Sequence, residues 1–528
     1  MPASYTPTRR RFLSDLGRGM IAASVGASLA ADLGFSPLLA AEQEGKLTFG
    51  SLEPLVEFLQ GTPPDKLLAA VVEKMKAGTT LKDLVAAGSL ANARAFGGEH
   101  YVGFHTLMAL MPSFHMSREL PSEKAALPVL KVLYRNSTAL QEVGGCDAKA
   151  LQPVAASELP GGADSAEFLR RMVREQKRDI AESTFAGIAR QSPEAALNNL
   201  LETVEDGCEV HRTVLVHRAW DMLSLVGREQ AHTMLRQSLR YCLKQENSAV
   251  NNFAGLRTAL PKLIDQYKLA DRTPGTRTLS DADVEKLVQT LLSSSADGGA
   301  EAIAAMLADG FAPSALAEAV SLASNQLVLR DIGRTGRAIQ DGKPEGSVHG
   351  DSIGVHSSDS TNAWRHIAAV GSKKQTLIAT VMSGYQVAQD RVGGDRWQGE
   401  GSFAKWQPRP LAEHLEKVTA KDPAELLKQL DGAIRGSDQA MACAIVQRYG
   451  EVSQAERPVF ETLLKYATSE DGALHAEKYY RTVSDEFSRT RPAFRWRQLV
   501  ALARVTASEY GRPAPGYAQA CELLGVKS

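Results

Sequence analysis

Four histidines share one position in the sequence, because each precedes or opens an amphipathic, helix-like segment. Successive members are separated by 111, 145 and 119 residues. Neutral imidazole nitrogens ligate iron, copper, zinc or nickel, and several converging rings form a site that a single ring cannot form. The recurrence therefore predicts a metal site assembled from distant segments, with these ligands: His100, His211, His356 and His475.

A carboxylate lies within three residues of each of these histidines. Such a group ligates the metal, fixes the tautomer of a ligating histidine, or acts as a general base. We assign catalytic roles to this set: Glu99, Glu209, Asp359 and Glu477. The competing interpretation is structural, since a carboxylate beside a helix N-terminus is also favoured by the helix dipole.

Two further histidines follow members of the set on the same segments. His105 comes five residues after His100, and His217 comes six residues after His211. These offsets place both somewhat off the face that the first histidines define. We assign His105 and His217 to cofactor binding deeper in the site, with packing against a different neighbour as the alternative. A single histidine at a helix start is usually a polar end residue, so the argument depends on the recurrence.

The elements that must position these side chains are predicted to be helices. Apolar residues recur at three- and four-residue spacing in segments such as 63–78, 165–191 and 317–332, whereas alternating strand patterns are almost absent. Two stretches rich in Gly, Pro and polar residues, 333–352 and 390–414, are predicted to be long loops.

An internal similarity indicates duplicated helices. The segments "AGTTLKDLVAAGSLANARA" (77–95) and "DGFAPSALAEAVSLASNQL" (309–327) share a glycine, a leucine and the triplet Ser-Leu-Ala in one register. Each is followed by a histidine that opens another helix. We therefore predict an all-α fold of four related helical-hairpin units packed around a central cavity, with an open α-solenoid as the alternative.

The predicted boundaries follow the histidine-led units. The segments are a signal at 1–41, unit 1 at 42–160, unit 2 at 161–272, unit 3 with its long loops at 273–415, and unit 4 at 416–528.

The N-terminus resembles a twin-arginine export signal. Thr8-Arg9-Arg10-Arg11-Phe12-Leu13 matches the pattern Ser/Thr-Arg-Arg-x-Phe-Leu, and a weakly apolar stretch follows it. The resemblance implies passage through the twin-arginine translocase and a periplasmic or extracellular location, with the membrane contacted only through the signal. Because this pathway carries folded proteins, it also favours a cofactor inserted before export.

Composition excludes some classes of function. The net charge of −1 among 528 residues provides no electrostatic footprint for nucleic acid. The five cysteines lack the spacing of zinc ribbons, haem attachment sites or dense disulfide frameworks. HExxH and Walker A motifs are absent from the sequence, so any metal site must be built from distant segments.

The segment "HYVGFHTLMALM" (100–111) resembles the histidine-rich helix starts of questin-oxidase-like proteins, which are all-helical oxidative enzymes. The resemblance favours His100 and His105 as site residues. Our leading hypothesis is an exported, metal- or cofactor-dependent oxidoreductase that acts on a small molecule, with iron as the first choice of metal. The alternatives are a non-catalytic helical-repeat binding protein and a metal-dependent hydrolase.

Overall fold

The computed structural model describes residues 46–158, 164–398, 402–453 and 455–527, and this part of the chain is all-helical. It contains isolated β-bridges but no strand. The first half contains α1 (Glu53–Gly61), α2 (Pro64–Lys76), α3 (Leu81–Phe96), α4 (Tyr101–Ser117), α5 (Leu127–Glu142), α6 (Ser165–Arg174), α7 (Arg178–Ala189), α8 (Pro193–Val204), α9 (Val210–Asp221), α10 (Leu223–Val226), α11 (Ala231–Lys244), α12 (Glu246–Phe253) and α13 (Leu256–Gln266).

The second half continues with helices only. They are α14 (Asp281–Ser293), α15 (Ala296–Ala308), α16 (Pro313–Arg330), α17 (Ile353–Val370), α18 (Lys373–Gln398), α19 (Ser402–Lys405), α20 (Ala412–Lys417), α21 (Pro423–Arg435), α22 (Gln439–Val452), α23 (Arg457–Ser469), α24 (His475–Arg489), α25 (Trp496–Glu509) and α26 (Tyr517–Leu524). None of these described helices is both long enough and apolar enough to cross a bilayer.

Four helices, which we call the inner helices, pack around one axis: α4, α9, α17 and α24. α9 contacts α4 and α17, and α24 contacts the same two helices, so the contacts close into a ring. Each inner helix also packs against the long helix that follows it, namely α5, α11, α18 or α25. An open solenoid would keep the first and last of these helices apart, whereas α4 and α24 are in contact. Helical-repeat packing is compatible with this arrangement, and the four segment boundaries stay a prediction.

Polar contacts join the inner helices as well as apolar packing. Glu486 on α24 accepts hydrogen bonds from Arg365 and Asn362 of α17, at 2.8 and 2.9 Å. Nearer the N-terminal ends, the Thr482 hydroxyl donates to Asp359 at 2.7 Å. Because these groups are buried, each bond prevents the cost of an unpaired polar group and holds the two helices in register.

Two of the predicted elements differ from the structure. The segment 165–191 forms two helices because Gln176 adopts a left-handed φ of 55° and closes α6 with a Lys177 N–H to Met172 carbonyl bond of 2.8 Å, a Schellman-type ending. The segment 390–414 is only partly a loop, since α18 continues to Gln398 and α19 and α20 follow. The stretch 333–352 is non-helical apart from one short turn, as predicted.

Candidate functional site: a ring of four histidines

Four imidazole rings meet at the N-terminal ends of the inner helices, one from each helix. Adjacent ring centroids are 4.7 Å apart for His105–His211, 5.8 Å for His211–His356, 5.4 Å for His356–His475 and 5.4 Å for His475–His105. We call this group the histidine ring. Because all four members lie near the start of their helices, the inner helices run parallel and direct the positive ends of their dipoles at the ring.

His105, not His100, is the member from α4. The sequence predicts His100 as the first ligand, but the structure makes it the N-cap of α4, where its Nδ1 accepts the Gly103 N–H at 3.1 Å. Its ring stacks on Phe96 with a centroid distance of 4.8 Å. His105 lies more than one turn further along α4, and its Nε2 is 3.1 Å from Nε2 of His211.

The hydrogen-bond partners of Nδ1 determine the tautomers of this pair. Nδ1 of His105 lies 2.9 Å from the Tyr101 carbonyl oxygen, which can only accept, so this nitrogen carries the proton. Nδ1 of His211 contacts the Glu209 carboxylate. Glu209 also accepts the Tyr241 hydroxyl at 2.8 Å and the Arg212 N–H at 3.2 Å, so it is an ionised acceptor and His211 also donates from Nδ1.

It follows that, when both imidazoles are neutral, their bare Nε2 lone pairs face each other at 3.1 Å. Two lone pairs at this distance repel unless a cation lies between them. That cation is either a shared proton, which makes one ring an imidazolium, or a metal ion. An Nδ1–H bonded to a carbonyl or carboxylate is the arrangement that orients metal-ligating histidines.

The second pair is His356 and His475, whose Nε2 atoms lie 3.3 Å apart. Burial lowers the pKa of His356 to about 3, with the charges of His211 and Lys478 acting in the same direction. Burial also lowers the pKa of His475, and of His105, far below the ordinary value. These three rings are therefore neutral at physiological pH, the form that binds metals.

The backbone before His475 is held in an uncommon conformation. Gly472, Ala473 and Leu474 have φ values of 43°, 47° and 68°, in the left-handed region. A left-handed conformation costs roughly 1–3 kcal/mol for each non-glycine residue and is common at functional sites. On the other side of His475, the loop 333–352 comes so close that a Cβ on Gly350 would lie 2.2 Å from the His475 Cβ.

The four predicted catalytic carboxylates occupy different environments. Glu209 contacts the histidine ring through His211, and 37% of its side chain remains exposed. Burial would raise the pKa of Glu209, but the charge of His211 and the hydrogen bonds from His211 and Tyr241 lower it to about 2. Glu99 lies outside the ring, paired with Arg178 at 2.6 Å and with Arg240.

The other two carboxylates lie beyond the ring, within the bundle. Asp359 comes three residues after His356 and accepts the Thr482 hydroxyl; burial raises its pKa. Glu477 is fully buried and forms an ion pair with Lys131 of α5 at 2.7 Å. Glu477 therefore joins α24 to its neighbour, and its proximity to His475 in sequence does not make it a ring contact.

His217, the second histidine assigned to cofactor binding, lies away from the ring. It is buried and stacks on His366 of α17 with a centroid distance of 4.6 Å, and burial lowers its pKa. His366 in turn lies 3.2 Å from Asp485 Oδ2 of α24. This contact is part of a separate cluster near the C-terminal ends of the inner helices.

Two site residues, Tyr101 and Lys478, are missed by the sequence analysis. Tyr101, at the start of α4, is 65% exposed, and its ring centroid lies 4.5 Å from that of His105, so it forms the outer rim. Lys478 is buried one turn beyond His475, where burial lowers its pKa to about 8. Lys478 could have been found by following the His475 face one turn further along the helix.

The histidine ring has the right donors for a metal ion but consists of two pairs. As the side chains stand, no group of three or more His, Cys, Asp or Glu side chains in the described part of the chain is placed to hold one metal ion. In a tetrahedral site with metal–nitrogen bonds of about 2.1 Å, ligand nitrogens lie about 3.4 Å apart. The separations within the two pairs, 3.1 and 3.3 Å, are close to this value. Binding by all four rings requires the two pairs to move towards each other.

In comparisons with known proteins, no family model, no curated protein and no solved structure matches the chain. The export signal predicted at 1–41 lies outside the described residues. The histidine ring is therefore interpreted from its own geometry.

Proposed function

We propose that the protein is an exported, metal-dependent oxidoreductase acting on a small molecule, with His105, His211, His356 and His475 as the metal ligands. The observation that carries the proposal is the pair of Nε2 lone pairs facing each other at 3.1 Å between His105 and His211. Each is fixed by an acceptor on its Nδ1, and the second nitrogen pair lies alongside. A cation at this point removes the repulsion, and four neutral imidazoles are strong ligands for a transition metal.

The ligand number favours redox chemistry over hydrolysis. Hydrolytic zinc sites use three protein ligands and leave the fourth position to water, whereas four protein ligands close a tetrahedral zinc site. Iron accepts up to six donors, so four imidazoles leave positions for substrate or oxidant, and iron is our first choice. Glu209 supports the site by holding the His211 tautomer.

Export is part of the same proposal. The twin-arginine pattern predicts that the folded, metal-loaded protein passes through the translocase and acts in the periplasm or outside the cell. Replacing Arg9 and Arg10 by lysine is expected to leave the protein in the cytoplasm, as measured by cell fractionation.

Metal analysis tests the proposal directly. The protein, purified without chelators, is expected to contain close to one equivalent of a transition metal, and His105→Ala and His475→Ala variants are expected to lose it. His100→Ala is the matched control, since His100 is outside the ring. A metal-free wild type that also fails to bind added iron, copper or zinc identifies the ring as a proton-sharing structural cluster and removes the proposal.

Glu209→Gln tests the tautomer argument. The amide no longer accepts strongly from His211 Nδ1–H, so metal affinity is expected to fall about 10- to 100-fold with the fold intact. An unchanged affinity would mean that Glu209 only caps α9.

A further inference from the structure

A cleft of about 550 Å³ lies between α14, α16, α22 and α25. The segments 408–410 and 492–494 complete its lining, and none of the described residues that line it belongs to an inner helix. Sites for small molecules in proteins have volumes of roughly 300–1,000 Å³. The cleft is therefore large enough for a ligand of its own, separate from the histidine ring.

Arg409 provides the main indication of what this ligand is. It lines the cleft and is partly buried, and within the described chain its side chain forms no hydrogen bond and no ion pair. Its backbone is held in place, because the Arg409 N–H donates to the Leu329 carbonyl at 2.9 Å. A guanidinium group presents its N–H donors in a planar fork that matches two oxygens of a carboxylate or a phosphate. An anionic ligand is therefore the natural partner of Arg409.

The two carboxylates that line the cleft already have cationic partners. Glu285 is paired with Arg497 at 2.5 Å, and Glu451 is paired with Arg448 at 2.6 Å. Neither carboxylate comes within ion-pair distance of Arg409. The lining of the described chain therefore does not supply the negative charge that this guanidinium group would bind.

Arg330 places a second guanidinium group at the same wall. It follows Leu329, whose carbonyl accepts the Arg409 N–H, so the two arginines project from adjacent stretches of backbone. Arg330 donates to Gln326 Oε1 at 3.1 Å and to the Trp406 carbonyl at 3.0 Å, and both of these acceptors are neutral. Burial lowers the pKa of Arg330. Neutral acceptors leave its positive charge in place, so this wall attracts anions.

Aromatic side chains form part of the remaining lining. Phe494 is 7% exposed and Trp496 is partly exposed. Trp496 packs so closely on α22 that a Cβ on Gly450 would lie 2.4 Å from the indole ring. Aromatic rings offer a large apolar surface with preferred geometries for contact with another ring. The cleft thus combines a guanidinium fork with a surface suited to a flat apolar group.

We propose that this cleft binds a small aromatic oxyanion, whose carboxylate or phosphate group pairs with Arg409 and whose ring packs against Phe494 and Trp496. A neutral aromatic compound would leave Arg409 without a counter-charge, and a small aliphatic anion would leave the aromatic surface in contact with water. The site shares no residue with the histidine ring, so binding in the cleft does not depend on metal.

Isothermal titration of the full-length protein with four probes tests the proposal. Benzoate or phenyl phosphate is expected to bind at one site, at least tenfold more tightly than benzamide, which lacks the charge, and acetate, which lacks the ring. The tighter of the two aromatic anions identifies the head group. Arg409→Gln is expected to weaken that anion at least tenfold, and Arg409→Lys, which keeps the charge without the fork, is expected to weaken it less.

Arg435→Gln is the matched control, because Arg435 lies on α21 outside the lining and is paired with Asp431 at 2.7 Å. Its affinity for the aromatic anion is expected to equal that of the wild type, and so is that of His356→Gln. Benzamide or acetate binding as tightly as the aromatic anions overturns the proposal, as does a wild type that binds neither anion. An unchanged affinity in Arg409→Gln does the same. Loss of the anion from folded His356→Gln would place it at the histidine ring and likewise remove the cleft site.

Discussion

The two ends of the inner helices gather similar side chains and arrange them differently. Ten residues after each ring histidine, the chain has His115, Asp221, His366 and Asp485, which we call the far-end layer. A rise of 1.5 Å per residue places it about 15 Å from the histidine ring. Two histidines and two aspartates are ordinary metal ligands, so residue type alone would nominate this layer as strongly as the ring.

The far-end layer and the histidine ring differ in how their side chains are paired. Asp485 is bonded to His366 and lies 2.8 Å from Arg481, and Asp221 lies 3.6 Å from the buried Arg218. The guanidinium groups supply the positive charge, and the negative ends of four helix dipoles favour them there. At the histidine ring the built-in cation, Lys478, lies one turn beyond His475, whereas the lone pairs of His105 and His211 face each other directly. The comparison teaches that unpaired donors, more than donor type, identify the candidate site.

The largest expected effect is a difference in metal binding between two histidines of one helix. His356→Gln removes a ring ligand, so metal affinity is expected to fall more than about 100-fold. His366→Gln, ten residues later on α17, is expected to leave metal content unchanged. Titration of both metal-free variants with iron or zinc measures the difference. A loss of metal from the His366 variant alone would reverse the assignment of the two ends.

The next effect is on stability, and it belongs to the far-end layer. Asp485→Asn removes the carboxylate that pairs with His366 and with Arg481, and the Arg481 side chain is 22% exposed, so the free energy of unfolding is expected to fall by about 1–3 kcal/mol. Urea unfolding measures this change, and metal content per folded molecule is expected to stay at the wild-type value. A small stability loss together with metal loss would mean that this layer, too, serves the metal.

A pH effect follows from the lowered pKa of His356, about 3 in the folded protein. The unfolded chain binds a proton near pH 6.5 and the folded chain does not, so falling pH favours unfolding between these values. In metal-free protein, His356→Gln is expected to make the loss of stability between pH 6 and 4 shallower, by up to about 1.4 kcal/mol per pH unit. Urea unfolding at several pH values measures the slope, with His414→Gln on α20 as the control. Parallel slopes for wild type and His356→Gln would contradict the burial of a neutral ring.

The sequence predicts the helices and three of the ring members because both depend on local patterns. His211, His356 and His475 stand near a helix start, and the convergence of parallel helices brings such residues together. The choice between His100 and His105 could not be made this way, because "HYVGFH" offers a histidine at both positions. The position of α4 along the bundle axis, relative to the neighbouring helices, determines which of the two histidines reaches the ring. That position depends on tertiary packing. The pairing of the far-end layer is likewise a tertiary property.

The smallest expected effect tests the choice of His105 over His100 as the ligand from α4. His100→Ala removes the N-cap of α4 and its stacking on Phe96, so a loss of about 1 kcal/mol in unfolding free energy is expected, within the usual 0.5–2 kcal/mol for a cap. His100→Asn, which restores a side-chain acceptor for the Gly103 N–H, is expected to recover most of it. Metal content should remain at the wild-type value in both variants, as measured in the same preparations. If His100→Ala lost metal while His105→Ala kept it, the ligand from α4 would be His100 after all, and α4 would have to shift along the bundle axis on binding.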